Sequence, residues 1–146
     1  MKLSYHYLML LNYSAYQKQM YEKLSELNLS MGQPKILEFL YEHNGCMQKE
    51  IALGCQIEPA SVTSILLKTE KEGYIVRRNE NENRRTLHVY LTKKGLKTAE
   101  AVKSGMGMIE DKALEKLDEK EKEVLIELMK KVNLGLLGNT FIEGEE

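Results

Sequence analysis

What this chain lacks narrows its function before any motif is considered. None of its apolar runs approaches the roughly 18 residues that a membrane-spanning helix needs. The start, Met1-Lys2-Leu3-Ser4-Tyr5-His6, has no long apolar core followed by a small-residue cleavage site, so no signal peptide is expected. Only 2 cysteines occur, which points to reduced thiols in a cytoplasmic protein. The 3 histidines, His6, His43 and His88, are scattered with no Cys or Asp cluster beside them, so neither a metal site nor a cofactor is expected. No Ser/His/Asp set, Cys/His pair or Gly-rich phosphate loop emerges, and an enzyme is not expected either. Internal repeats, low-complexity stretches and interdomain linkers are also missing.

What remains is a chain of 146 residues, 42% hydrophobic and 29% charged, which suits one domain with a sizeable core. The net charge of −1 hides a segregation. Lys68 to Lys94 carries 8 basic residues against 4 acids, and Glu100 to Glu146 carries 7 lysines against 12 acids. Phosphate affinity depends on local cations that release counterions, so a neutral total does not exclude a nucleic-acid partner.

Periodicity predicts a long helix from Leu3 to about Leu27, unbroken by Pro or Gly. A second is expected to open near Ser30, whose spacing to Gln33 is that of a capping box, and to close at His43-Asn44-Gly45. A short third helix, Gln48 to Leu53, leads through a turn into a fourth, Pro59 to Glu72. On this fourth helix Val62, Ile65, Leu66 and Thr69 share the core face. Ser61, Ser64, Lys68 and Lys71 lie opposite, a small, polar, basic face that suits a major groove about 12 Å wide. Two strand patterns follow, Tyr74 to Arg78 and Arg85 to Leu91, around a polar tip. Thr92 caps a long helix that Gly105 and Gly107 should weaken, and Asp118 with Glu121 opens the last one. The fold expected is mainly α with a small β-hairpin: a winged helix-turn-helix flanked by N- and C-terminal helices.

Three stretches carry a family resemblance. They are Gln48-Lys49-Glu50-Ile51-Ala52; Pro59-Ala60-Ser61-Val62-Thr63 running on to Glu70-Lys71-Glu72-Gly73-Tyr74-Ile75-Val76-Arg77; and Asn83-Arg84-Arg85-Thr86-Leu87-His88-Val89-Tyr90-Leu91-Thr92-Lys93-Lys94-Gly95. In these the chain resembles the MarR (multiple antibiotic resistance regulator) family of bacterial transcription factors. Asn83 stands where that family usually has Asp, Thr69 where it has a buried Leu, and Leu67 where a polar residue is expected.

The resemblance implies one MarR-like domain over residues 1–146. Within it, residues 30–95 form the DNA-binding lobe, and residues 1–28 and 96–138 the dimerisation helices. It implies a homodimer binding double-stranded DNA at a roughly palindromic operator, the work of a ligand-responsive repressor, in the cytoplasm. Arg84 and Arg85, beside Asn83, would enter the minor groove. Ser61, Thr63, Ser64 and Lys68 would form the recognition surface. Gln48 and Lys49, at a helix start where free N–H groups favour phosphate, would clamp the backbone. Arg77 would pair within the wing and Arg78 would face DNA. Tyr7, Tyr13, Tyr16 and Tyr41 would line a cleft for a small-molecule effector. Two alternatives stand beside this reading: a winged-helix protein-interaction module, and a regulator that senses oxidants through Cys46 or Cys55.

Overall fold

The computed structural model describes residues 2–80 and 86–140. Its elements run α1 (Tyr5–Leu24), α2 (Gln33–Glu42), α3 (Gln48–Cys55), α4 (Pro59–Lys71), β1 (Ile75–Asn79), β2 (Leu87–Leu91), α5 (Lys93–Ala113) and α6 (Glu119–Leu137). Short 3₁₀ turns occupy Ser25–Leu27 and Gly138–Thr140.

The core collects where α2, α3, α4 and the hairpin meet. Ile36, Leu40, Ile51, Ala52, Cys55, Val62, Leu66, Ile75 and Val89 form one buried cluster. The strands pair antiparallel from Ile75↔Leu91 to Asn79↔Leu87. The far edge of β2 is tied as well, because the Gly45 amide donates to the Val89 carbonyl and the Val89 amide to the Cys46 carbonyl. A hairpin bonded along both edges of β2 is a firm support for whatever its tip carries.

Several boundaries differ from the sequence pattern, each for a local reason. The first helix stops at Leu24, and Asn28 in left-handed backbone (φ 52°) closes the 3₁₀ turn that follows. The second starts at Gln33, not near Ser30. Gly32, with φ 87°, is its N-cap, and the Gln33 side chain reaches back to accept from the Ser30 amide at 2.9 Å. A Cβ on Gly32 would sit 2.6 Å from the Ile65 side chain, so α2 begins pressed against α4. That junction also holds a dry polar joint. Gln33 is fully buried and donates to Thr69 Oγ1 (3.1 Å) and Glu72 Oε2 (3.0 Å). Thr69 in turn donates to the Ile65 carbonyl at 2.7 Å, so its hydroxyl is satisfied in the core.

Thr92 caps α5 as expected, accepting from the Gly95 amide at 3.0 Å and donating to the Gly73 carbonyl. Helix α5 runs unbroken through Gly105 and Gly107, from Lys93 to Ala113. At Gly105 a Cβ would lie 2.8 Å from the Leu24 side chain; the missing side chain is what lets α1 cross α5 closely.

The arms are open. Asp118 and Glu121 cap α6 reciprocally, yet no residue of α6 is buried, and Val124, Leu128, Met129 and Leu136 are all exposed. Much of α1 is exposed too, including Leu8, Leu10 and Leu11, and so is Leu3 just before it. The chain presents 10890 Å² to solvent. A compact chain of this mass would present about 7,700 Å². Apolar helices left this bare need a cover.

Candidate nucleic-acid interface

The outward side of α4 is set by its inward side. Burying Val62, Leu66 and Thr69 at helical spacing turns Ser61, Thr63, Ser64, Lys68 and Lys71 to solvent, and all five are exposed. Lys68 pairs with Glu72 at 3.7 Å, a surface i,i+4 contact weak enough to give way to a phosphate. Lys49 is exposed in the first turn of α3. Arg78 is exposed on β1, its guanidinium 4.0 Å above the Tyr90 ring, a platform that holds the charge outward. Asn83, Arg84 and Arg85 lie outside the described residues.

Two more of the predicted contact residues, Gln48 and Thr63, are hydrogen-bonded inside the protein. Gln48 donates to Thr63 Oγ1 at 2.9 Å and accepts from Arg77 Nη1 at 3.4 Å. Arg77 is committed to Glu70 of α4. Its backbone amide and Nε donate to Oε2 (3.0 and 3.3 Å), and Nη2 donates to Oε1 (3.2 Å). The expected pairing within the wing is therefore a pairing between wing and recognition helix. Through it, α3, α4 and β1 share one polar network. Sequence reading missed Glu70 because the turn at Gly73 (φ 83°) folds β1 back so that Arg77 meets a residue seven positions earlier, a geometry that helical spacing does not encode.

These bonds hold the Glu70 carboxyl below the usual carboxylate range, the Arg77 hydrogen bond being the main cause. A depressed folded pKa contributes stability that is present above the unfolded value, about 4.3, and is lost as pH falls through the folded one. Glu70 is 37% exposed and so partly screened, and Arg77→Ala is expected to cost about 1 kcal/mol near neutrality. Urea unfolding of the native and variant proteins should show this gap at pH 7 and a narrower one near pH 3, and an equal gap at both would exclude the assignment.

The thiols do not have the setting of a sensor. Burial pushes Cys46 and Cys55 up to about 11, with the Glu50 carboxylate adding to the effect at Cys46. Both are therefore protonated near neutrality, and the thiolate is the reactive form.

The predicted aromatic cleft is only partly assembled. Tyr13 is exposed, its hydroxyl accepting from Gln17. Tyr7, Tyr16 and Tyr41 are half-buried. The Tyr16 phenol is raised by burial and then by Glu110 and Glu38, which sets it between α1, α2 and α5. Burial also raises Glu38, with Lys103 opposing. Lys103 is bonded to Glu42 and stands 4.4 Å above the Tyr41 ring. Among the described residues, no cluster of His, Cys, Asp and Glu could hold a metal ion, and no helix is long and apolar enough to cross a membrane.

Comparison with known proteins agrees with this geometry. The MarR family model matches residues 29–87. The uncharacterized HTH-type transcriptional regulator YwhA of Bacillus subtilis is 30% identical over 97 residues, 66% of this chain and 70% of its own. The structure of Staphylococcus aureus MepR bound to DNA superposes with a TM-score of 0.81 at 26% identity, covering 90% of this chain and 97% of MepR. NadR in complex with 4-hydroxyphenylacetate shares the fold, with a TM-score of 0.77 at 24% identity over 90% of this chain and 93% of NadR.

Proposed function

Because the chain belongs to the MarR family of helix-turn-helix transcriptional regulators, we propose that it works as a cytoplasmic homodimeric repressor, without catalytic activity, on a roughly palindromic operator. In this reading residues 30–95 are the DNA-binding lobe, and residues 1–28 and 96–138 are the dimerisation helices. The observation that carries it is the braced outward face of α4. Ser61, Thr63, Ser64, Lys68 and Lys71 are all exposed on it, while Arg77, Glu70 and Gln48 fix its attitude from behind.

Ser61, Thr63 and Ser64 then face base edges in the major groove, and Lys49, Lys68 and Arg78 face phosphates. Gln48 acts through Thr63 and Arg77, as the brace of that surface. Arg84 and Arg85, with Asn83, enter the adjacent minor groove. MepR, which shares this fold, is known bound to DNA, and that supports the assignment.

The bare apolar faces of α1 and α6 support dimerisation, since a two-fold partner would cover both and match two half-sites about one DNA turn apart. For the effector, the junction of α1, α2 and α5 beside Tyr16 and Tyr41 is the seat we favour. NadR's complex with a small aromatic acid supports a ligand of that size. Release from DNA requires that the effector bind the DNA-incompetent dimer more tightly than the competent one.

Fluorescence anisotropy against the chain's own promoter DNA tests the reading. Six neutralised phosphates predict a loss of about a thousandfold in affinity between roughly 50 and 200 mM salt. Affinity that ignores salt would refute it.

A further inference from the structure

The DNA-binding reading leaves open which chemical feature of a base pair α4 recognises, and the hydrogen bonds of Thr63 bear on that. Thr63 sits on the second turn of α4, exposed, on the face turned away from the core. Its hydroxyl is occupied: Oγ1 donates to the Pro59 carbonyl at 3.1 Å and accepts from Gln48 Nε2 at 2.9 Å. A threonine that bonds back to the preceding turn is held in one rotamer. The hold is reinforced, because Gln48 is itself bonded to Arg77, and Arg77 is fixed by three bonds to Glu70. Turning the hydroxyl outward toward a base would break two hydrogen bonds and loosen that chain.

We infer that Thr63 reads thymine through its methyl group: with the hydroxyl retained inside the protein, Cγ2 is the part of the side chain left to meet the C5-methyl of thymine in the major groove. The neighbours fit the same chemistry. Ala60 and Leu67 are both exposed and lie three residues before and four after Thr63, so the three share one face of the helix. Leu67 is 54% exposed, a large apolar side chain on a surface otherwise made of serines and lysines. Ser64, Lys68 and Lys71 flank this line and supply the polar contacts. Thymine is the one base that offers a methyl group in the major groove, and alanine and threonine methyls are its usual partners. This inference rests on the DNA-binding reading and adds to it a preferred base.

The test uses the full-length protein and a duplex that it selects from a randomised DNA library. Thymines in each half-site are replaced one at a time by deoxyuridine, which removes the methyl and leaves base pairing unchanged. Binding is measured by anisotropy at fixed salt for the native protein, Thr63→Val and Thr63→Ser. The native protein is expected to lose about fourfold in affinity for the critical thymine in one half-site, and about fifteenfold for both. Thr63→Val keeps a methyl there and should keep the penalty. Thr63→Ser keeps the hydroxyl, loses the methyl and should bind the thymine and deoxyuridine duplexes alike. A serine variant that retains the full penalty, or a selected site with no sensitive thymine, overturns the inference while salt-dependent binding persists. If no duplex is enriched and binding shows no salt dependence, the DNA-binding reading falls with it.

Discussion

Replacing Val124 and Leu128 together by glutamate is expected to convert a dimer into single protomers and to lower DNA affinity by at least a hundredfold. Both side chains stand on one face of α6 and are exposed in the isolated protomer, at 49% and 53%. If the protomer were the working form, two surface substitutions would change stability by no more than about 0.5 kcal/mol each and leave the mass unchanged. If the face is an interface, each protomer must bury two carboxylates against apolar surface, a cost of several kcal/mol that a dimer cannot absorb. The loss on DNA follows, because two half-sites read by separate protomers lose the high effective concentration that linkage supplies. Sedimentation velocity should give twice 16.9 kDa for the native protein and 16.9 kDa for the variant, with helical circular dichroism retained in both. A native protein that sediments as a single protomer would sink the proposal.

The second large effect is expected at the hairpin tip. Arg84→Ala with Arg85→Ala removes four cations from a dimer. If all four meet phosphate or the narrow minor groove, the slope of log affinity against log salt should become shallower by about four. At moderate salt that corresponds to a loss of roughly a hundred- to a thousandfold. The described residues supply the support for this tip: strands that pair out to Asn79↔Leu87, and Arg78 held over Tyr90 just before it. A module that binds only proteins would keep its partners after this change and show no shift in salt response. Anisotropy at four or more salt concentrations separates the two outcomes.

Most of the architecture was legible because it rests on local physics. The spacing of Val62, Leu66 and Thr69 fixes which side of α4 is buried, and Thr92 and Asp118 mark helix starts through side chains that reach only three residues. What escaped depends on contacts between distant segments. Gly54 is the penultimate residue of α3, and its spacing does not reveal that Phe39 of α2 packs where a side chain would be, with a Cβ placed 2.2 Å from the ring. Ser30 has the spacing of a cap, but Gly32 can take the positive φ that the turn requires, and the helix starts after it. In the site itself, the exposure of Ser61, Ser64 and Lys68 was predictable from period. The internal engagement of Gln48 and Thr63 was not, since it depends on how α3 packs against α4 and on the turn at Gly73 that brings Arg77 to the foot of α3.

Gln33 leaves the joint between α2 and α4 without play. Its amide is shut away from water and all its bonds run to fixed partners, so sliding α4 by a fraction of a turn would strand it at a cost of a few kcal/mol. Helices α2 and α4 must therefore swivel as one block. In the proposed dimer, a change in the separation of the two recognition helices would carry α2 and α4 together. A molecule lodged against α2 would work a lever rather than compress a spring.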